Sequence, residues 1–418
     1  NWLENLGDWP ISRQRYWGIP LPIWICEKCS STKVIGSRKE LPKVPKDFHR
    51  PYIDEITMKC KCGSMMHRIS DVLDVWFDSG LASWASLNYP KDKKLFKNLW
   101  PSDLQIEGPD QIRGWWNSEI ITSVITFNKA PFRDIVFHGF VLDAHGDKMS
   151  KSKGNVVGPE DVIKKYGRDA LRLYFLSSAA WDDFYFSWQE ADRIAKMLNV
   201  VENSFNFVKT YSAKVKKSKL NIEDKWILSR LNTAIDDATD YMNNYEGHKA
   251  VTAITNFIVN DFSRLYIKII RDRVWPDYKG EDKSAALYTL NETAETCAKL
   301  LAPMCPFLAE HVHKQIEKKP LSVHMHSWPK ADKKIIYKDL EDSMMLVKGI
   351  VEAANAIRQE SKIKLRWPLS RIVINKENKG KLKGLENVIK FMCNVKAIEY
   401  GEAELPSKEI GKLRIYLD

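Results

Sequence analysis

The chain has no apolar run that approaches the roughly 20 residues a membrane-spanning helix needs, and its first residues lack the plan of a signal peptide. No internal repeat is evident among its 418 residues. Cysteine is scarce, and seven cysteines in a cytosolic protein favour metal binding or buried thiols over disulfides. We therefore expect a cytoplasmic protein with no membrane-embedded part and no disulfide framework.

The composition is that of a globular protein. Hydrophobic residues make up 44% of the chain, which is ordinary for folded domains, and the length suits about two to four domains. The net charge is +11, which favours a polyanionic partner and is compatible with nucleic-acid binding, although many basic proteins bind none.

Strand and helix patterns alternate between residues 104 and 190. The sequence predicts a strand at 104–107, a helix at 110–127, a buried strand at 135–142, and helices at 159–165 and 168–177. Such alternation is typical of a parallel sheet with right-handed crossovers, so we expect half of a doubly wound, Rossmann-like α/β fold.

The helix predicted at 110–127 has two distinct faces if Asp110 caps it. One face is an apolar stripe at helical spacing, and it consists of Ile112, Trp116, Ile120, Val124 and Phe127. The other face consists of Gln111, Trp115, Ser118 and Thr122. Because ligands of open α/β sheets bind at the carboxyl ends of strands, Gln111 and Trp115 would face a cavity beside Glu107 and Gly108. The alternative is that Asp110 is only a helix cap and Trp115 only packs on the surface.

The second half of the chain is all-α in character until its last segment. Apolar residues recur at helical spacing in two stretches, which are Ile227, Leu231, Ile235 and Ala238, then Val251, Ile254, Ile258, Phe262, Leu265 and Ile269. They predict a helical bundle. A further helix from about residue 342 and strand-like runs at 370–374 and 397–400 predict a small α+β segment at the C-terminal end.

A lysine-rich loop follows the strand predicted at 135–142. Residues 147–155 place Lys148, Lys151 and Lys153 among two serines, directly before a helix start at Gly158. Cations beside a sheet edge suit a polyphosphate that gains charge as a bond breaks. A solvated surface loop is the equally weighted alternative.

Four cysteines have spacings that suggest a zinc module. Cys26 and Cys29 form one half of a zinc knuckle, and Cys60 and Cys62 form a second half with one spacer residue where two are usual. A decayed site and substitution by His67 remain open alternatives. We expect Cys297, Cys305 and Cys393 to be packing residues.

Residues 148–152 read Lys-Met-Ser-Lys-Ser, which resembles the KMSKS signature of class I aminoacyl-tRNA synthetases. Segments 8–18, 74–80 and 107–115 resemble the isoleucyl members of that class, and the last two resemble them more than their valyl or leucyl relatives. The resemblance implies ATP- and magnesium-dependent formation of isoleucyl-adenylate, transfer of isoleucine to its tRNA, and a zinc ribbon.

The resemblance also implies roles for individual residues. Lys148 and Lys151 would be catalytic, and Met149 and Lys151 would contact ATP together with the backbone of His138 and Gly139. The residues implied for aminoacyl-adenylate binding are Glu107, Gly108, Asp110 and Gln111, with Trp76 and Trp115 lining the side-chain pocket. Candidate contacts to tRNA are Lys268, Arg271, Arg273, Lys362, Lys364, Arg366 and Arg371. Trp275 or Trp367 could stack an anticodon base, although core or capping roles are more usual for tryptophan.

The second signature of the class, His-x-Gly-His, does not occur in the chain. We therefore expect the C-terminal portion of a longer enzyme, or of a split enzyme with a separate N-terminal chain, without the editing domain. The expected parts are a return segment (1–25), an inserted zinc-type module (26–103), the second catalytic half (104–190), a connector (191–222), a helical anticodon-binding domain (223–341) and the α+β segment (342–418). A valyl enzyme and a catalytically inactive tRNA-binding relic are the alternatives.

Overall fold

The computed structural model describes residues 4–5, 7–213, 215–216, 218–316, 321–410 and 413–418. They divide into two compact units, the first ending at Gly139 and the second beginning at Phe140. The fold is mixed α/β. Within the described ranges, no helix is both long and apolar enough to cross a membrane.

The first unit contains short strands and four α-helices among its described residues. Its strands are β1 (Ser12–Arg13), β2 (Ile23–Cys26), β3 (Thr32–Val34), β4 (Met58–Lys59), β5 (Met65–Arg68), β6 (Val72–Leu73), β7 (Ser102–Glu107) and β8 (Phe132–Phe137). Its helices are α1 (Val75–Gly80), α2 (Ala82–Ala85), α3 (Lys93–Leu99) and α4 (Trp115–Phe127).

The cysteine-bearing segment of the first unit has a core of its own. An antiparallel sheet in the order β3-β2-β5-β4 packs around Trp24, Ile53 and Met66. The indole N–H of Trp24 donates to the Ile56 carbonyl at 2.7 Å, which satisfies a polar group that burial would otherwise leave unpaired. The segment is thus a small module in which Cys26 ends β2 and Cys60 follows β4, while Cys29 and Cys62 lie in the turns that come next.

The α/β part of the first unit is built on one parallel pair, β7 and β8. The predicted strand at 104–107 lies within β7. The strand predicted as buried at 135–142 is different in the structure: β8 ends at Phe137, and Ile135 is exposed. The predicted helix at 110–127 is also divided, because a short 3₁₀ helix (Pro109–Ile112) precedes α4 and Asp110 caps neither helix.

The second unit begins with a parallel pair of short strands and continues mainly as helices. Its strands are β9 (Val141–Leu142), β10 (Phe184–Tyr185), β11 (Leu369–Ile374), β12 (Val395–Tyr400), β13 (Ser407–Ile410) and β14 (Leu413–Leu417). Its helices are α5 (Pro159–Tyr166), α6 (Arg168–Leu176), α7 (Trp188–Tyr211), α8 (Ile222–Asn243), α9 (Gly247–Asn256), α10 (Ile267–Val274), α11 (Lys283–Leu301), α12 (Pro306–Ile316), α13 (Lys338–Glu360) and α14 (Glu386–Cys393).

The predicted helical bundle is present in the second unit. Helices α7 to α13 surround a core that includes Phe205, Ile227, Ile254 and Leu290. A π-helical stretch from Phe257 to Tyr266 joins α9 to α10, so one continuous helical path runs from Gly247 to Val274. The thiols of Cys297, Cys305 and Cys393 are buried in this unit, and burial raises the pKa of Cys305 and of Cys393 to about 12. These three are packing residues, as predicted.

The structure differs from the sequence prediction at the connector. Residues 191–211 lie in α7, because Ala191, Ile194, Val201 and Phe205 recur at helical spacing and are buried. The C-terminal segment agrees with its prediction: α13 leads into a mixed four-stranded sheet in the order β12-β11-β14-β13, with α14 preceding β12. Two of the four strands, β13 and β14, were not anticipated.

Candidate active site

The carboxyl end of β7 brings together several of the predicted binding residues. Glu107 ends the strand, and its carbonyl accepts a hydrogen bond from the backbone N–H of His138 at 3.0 Å, which extends the ladder beyond β8. Gly108 is buried directly after it, beside the His138 ring. The Glu107 carboxylate has no hydrogen-bond partner within the described part of the chain, so it is available to a ligand at the strand end.

Gln111 is held in place from both ends of its amide. Its Nε2 donates to Asp110 Oδ2 at 2.9 Å, and its Oε1 accepts from the backbone N–H of Trp115 at 3.0 Å. The second bond satisfies a free N–H group in the first turn of α4, where no other side chain caps the helix. Gln111 therefore has the fixed orientation that a binding amide requires.

Trp115 lies in α4 and Trp76 in α1, and both residues are close to Gly114. The Trp115 indole N–H donates to the Ser79 carbonyl in α1 at 2.8 Å. A Cβ atom on Gly114 would lie 2.7 Å from Gln111 Oε1 and 3.4 Å from the Trp76 ring. Glycine is required there because the amide and the indole both approach the backbone closely. The Trp76 and Trp115 rings and the Gln111 amide thus lie around Gly114, and Trp76 remains 42% exposed.

The face of α4 that packs against α1 is polar rather than apolar. Thr122 Oγ1 donates to the Gly80 carbonyl at 2.8 Å, and a Cβ atom on Gly80 would lie only 2.9 Å from the Ser118 carbonyl oxygen. Two helices can approach this closely only through small side chains. The predicted apolar stripe is therefore wrong in part: Trp116 is buried as expected, but Ile120 and Val124 are exposed.

We expect Gly80→Ala to destabilise the protein by about 1–3 kcal/mol, because the added methyl group forces α1 away from α4. Urea-induced unfolding followed by tryptophan fluorescence measures the change. Gly7→Ala is the matched control, since nothing lies within 4 Å of a Cβ atom there. Equal unfolding free energies for the two variants would contradict the close contact between the helices.

Asp74 is a buried carboxylate that the sequence analysis did not single out. It accepts hydrogen bonds from the Trp9 indole at 2.8 Å and from the Arg13 guanidinium at 2.7 Å, and it caps the start of α1 at the N–H of Trp76. It therefore ties the segment at 8–13 to the helix that carries Trp76. The available signal was its position directly before α1, where aspartate is a favoured cap.

The lysine-rich loop lies in the second unit and is held by a neutral side chain. Asn155 Oδ1 accepts from the Ser150 N–H at 2.9 Å, and its Nδ2 donates to Asp143 at 2.8 Å. That hydrogen bond is the main cause of the lowered pKa of Asp143. Met149 packs against the core of the unit. Lys148 and Lys151 are exposed and lack a carboxylate partner among the described residues, whereas Lys153 pairs with Asp147 at 3.5 Å.

The four predicted metal-binding cysteines converge. The Sγ atoms of Cys26, Cys29, Cys60 and Cys62 all lie within 4.8 Å of one another, with Cys26 and Cys62 at 3.5 Å and Cys29 and Cys60 at 3.6 Å. A tetrahedron with Zn–S bonds of about 2.3 Å has edges of about 3.8 Å. This cluster could hold a metal ion, and the single spacer residue between Cys60 and Cys62 does not prevent the four thiols from meeting.

Two further observations concern ligand identity at the cysteine cluster. His67, the alternative ligand, instead pairs through Nε2 with Glu27 at 2.5 Å. Hydrogen bonds from the Ser31 side chain and backbone lower the pKa of Cys29 to about 6, which favours the thiolate that a metal binds. The four thiols are therefore close enough together to hold a metal ion, whereas the His67 imidazole is paired with Glu27.

The predicted tRNA-contacting cations divide into two groups. Arg273 is buried and pairs with Glu223, Asp224 and Asp282, and Arg371 pairs with Glu399 and Asp418. The charges of these two side chains are already compensated by carboxylates. The exposed ones are Lys268, Arg271, Lys362, Lys364 and Arg366.

Comparison with protein-family models identifies the class. Residues 1–187 match the model of class I tRNA synthetases (I, L, M and V), and residues 224–374 match the anticodon-binding domain of tRNA ligases. The chain belongs to the class I tRNA synthetase family. Within it, the curated relatives that the chain resembles include isoleucine–tRNA ligases.

The similarity to those relatives extends over nearly the whole chain. The enzyme of Archaeoglobus fulgidus is 47% identical over 95% of this chain, and that of Methanothrix thermoacetophila is 44% identical over 95%. The chain spans about 40% of the length of each relative.

Solved structures share the fold at low sequence identity. The Agrobacterium radiobacter K84 LeuRS, in its ternary complex with tRNA and LeuAMS, is 24% identical, with a TM-score of 0.62 over 79% of this chain and 43% of its own. Methionyl-tRNA synthetase of Mycobacterium tuberculosis, bound by methionyl-adenylate, is 24% identical, with a TM-score of 0.50 over 58% of this chain and 50% of its own. At these identities the likeness concerns the fold alone.

Proposed function

We propose that the protein carrying this chain joins isoleucine to its tRNA in two steps, through isoleucyl-adenylate formed from ATP. The observation that carries the proposal is the group formed by Gln111, Trp115 and Trp76 around Gly114. It follows Glu107 at the end of β7, whose carboxylate has no hydrogen-bond partner among the described residues. Together they combine polar groups suited to an amino acid's ammonium with apolar walls suited to a branched side chain.

The polar and apolar parts of this group divide the work of recognition. Glu107 and Asp110 accept hydrogen bonds from ammonium or ribose hydroxyls, since carboxylates accept from both, and Gln111 adds an oriented amide. Gly108, with the backbone of His138 and Gly139, allows a flat base to approach the strand end. Trp76 and Trp115 exclude larger side chains, because the Trp115 indole is fixed by the Ser79 carbonyl and the backbone of Trp76 is held by Asp74.

The chemical step is an attack of the amino-acid carboxylate on the α-phosphorus of ATP, with pyrophosphate as the leaving group. Lys148 and Lys151 neutralise the charge that develops on the phosphates, and Met149 anchors their loop. Within the described residues neither lysine has an ion pair, which supports this role, because a lysine already paired with a carboxylate would offer the phosphates less net charge.

We propose zinc as the metal of the cysteine cluster, since four thiolates in a tetrahedral arrangement favour zinc. Magnesium would accompany ATP. Residues 104–190 would supply the second half of a doubly wound nucleotide-binding fold, and the helices after it would bind the tRNA. The proposed parts keep the expected limits except at the connector, because residues 191–211 lie in α7.

The test is amino-acid-dependent exchange of pyrophosphate into ATP, measured with the full-length protein that contains this sequence. We expect isoleucine to support exchange best. Valine should be activated less well, because one missing methylene costs about 1–3 kcal/mol in an apolar pocket, a range that the isoleucyl enzymes themselves exemplify. Exchange that valine supports better than isoleucine would refute the substrate, and no exchange with either would refute the activity.

A further inference from the structure

We propose that residues 361–368, named here the 361–368 loop, form an RNA-binding element in which Trp367 stacks on an unpaired base and Lys362, Lys364 and Arg366 bind the neighbouring phosphates. The inference deepens the proposed function, on which it rests for the identity of the partner. It assigns the contact to a loop at the end of α13, within the segment that matches the anticodon-binding domain.

The exposed side chains of the loop combine a tryptophan and a leucine with three cations. Trp367 is 58% exposed and Leu365 is 43% exposed, and the three cations between and beside them are exposed as well. Exposed tryptophan interleaved with cations is the chemistry that single-stranded nucleic acid recognises, because bases stack on aromatic faces while cations follow the backbone.

The charge of the loop is not neutralised locally. No acidic residue occurs from 361 to 371, and Lys362, Lys364 and Arg366 lack ion pairs within the described part of the chain. Glu360, which directly precedes the loop in sequence, binds Lys408 at 2.6 Å, and the carboxylates of Glu399 and Asp418 bind Arg371, just after the loop. The cations are therefore free to meet phosphate groups.

The backbone of the loop is fixed although its side chains are exposed. Arg358 is 2% exposed, and its guanidinium donates to the carbonyls of Lys364 at 3.3 Å and Trp367 at 3.0 Å. The same group donates to the carbonyls of Cys393 and Asn394 at 2.9 and 3.0 Å. Among the described residues this buried cation binds only backbone carbonyls, so its burial costs free energy. The same burial lowers the pKa of Arg358.

Asn394 reinforces this arrangement. Its Nδ2 donates to the Leu365 carbonyl at 2.8 Å, and its own carbonyl accepts from the N–H of Leu369. The loop is thus preorganised by α13 and by the turn after α14, so an RNA strand that binds it need not order it first. Arg358 and Asn394 are positioning residues, whereas Trp367 and the three cations are the contacting ones.

Trp275 is the competing candidate, since it is 51% exposed. Its surroundings differ, because residues 271–283 contain as many acidic as basic side chains, which gives the patch no net attraction for phosphate. Arg273, the nearest cation in sequence, is buried in ion pairs, and the Lys283 ammonium donates to the Trp275 carbonyl at 2.9 Å. The 361–368 loop therefore has the stronger claim to an RNA base.

The test measures RNA binding by the full-length protein with two fluorescent probes, an RNA stem-loop with an unpaired loop and a fully paired duplex of similar length. We expect Trp367→Ala to weaken stem-loop binding about 5- to 100-fold, as loss of one stacked base does, and to leave duplex binding nearly unchanged. Lys364→Ala should reduce the slope of log affinity against log salt concentration by about 0.7.

Trp181→Ala is the matched control, because Trp181 is 48% exposed in the same unit but is followed by two aspartates; it should bind both probes normally. The inference is overturned if Trp367→Ala binds the stem-loop like the wild type, if it weakens both probes equally, or if Trp275→Ala alone causes the loss. Isoleucine-dependent pyrophosphate exchange, which needs no RNA, separates these outcomes from failure of the proposed activity: loss of exchange with stem-loop binding intact leaves the 361–368 loop assignment standing.

Discussion

Replacing Lys151 by alanine is expected to slow isoleucyl-adenylate formation about 30- to 1000-fold while leaving isoleucine binding nearly unchanged. Loss of one preorganised charge donor costs about 2–4 kcal/mol of transition-state stabilisation. The ground state is spared because isoleucine itself carries no phosphate. Pyrophosphate exchange measures the rate, and equilibrium dialysis of labelled isoleucine measures the binding, both with the full-length protein.

Lys153 provides the control for this prediction in the same loop. Its ammonium pairs with Asp147 at 3.5 Å, so Lys153→Ala removes a charge that is already compensated and should reduce exchange far less than Lys151→Ala does. An equal loss in the two variants would show that the loop acts through its total charge. An unchanged rate in Lys151→Ala would remove that residue from the proposed mechanism.

The order of strands and helices was largely predictable because local patterns determine it. The strand at 104–107, the helix that starts at Pro159 and the helices of the bundle all appear where apolar spacing and capping residues indicate them. Helix α7 was harder to predict, because the lysines at the end of this region favour an exposed connector. Its buried Ala191, Ile194 and Phe205 repeat at helical spacing, so the apolar periodicity indicated the helix although the charge did not.

The π-helical stretch explains a second difference between prediction and structure, which concerns the residues that form the buried face of the helix. The 3.6-residue period that predicts Val251, Ile254 and Ile258 also predicts Ile269, but Ile270 is the fully buried residue and Ile269 is only half-buried. A π-helix has more residues per turn, so the buried face shifts by one position after it. No pattern of residue types announces such a stretch.

The candidate site was predictable by residue type but not by geometry. Glu107, Gln111 and Trp115 lie at the carboxyl end of β7 as the pattern indicates. The sequence placed Thr122 on the correct helix face but gave no sign of its contact with Gly80, which sets the spacing between α1 and α4. The importance of these two residues follows only from the close approach of α1 to α4.

Replacing Cys60 by serine is expected to abolish zinc binding and to unfold the module built from β2 to β5. The module has a small core around Trp24, Ile53 and Met66, and structural zinc contributes on the order of 10 kcal/mol or more to such small domains. Without the metal, that core alone cannot offset the entropy of ordering the module. Zinc content by elemental analysis and protease sensitivity of residues 26–68 measure the two effects.

His67→Ala and Cys305→Ala are the controls that make this prediction specific. His67 pairs with Glu27 rather than with the cysteines, so His67→Ala should retain zinc and protease resistance. Cys305 is buried in the helical core, and its removal should reduce stability without releasing zinc. Retention of zinc by Cys60→Ser together with its loss in His67→Ala would mean that the imidazole, and not the fourth thiol, completes the site, because a tetrahedral metal needs four ligands from whichever side chains remain.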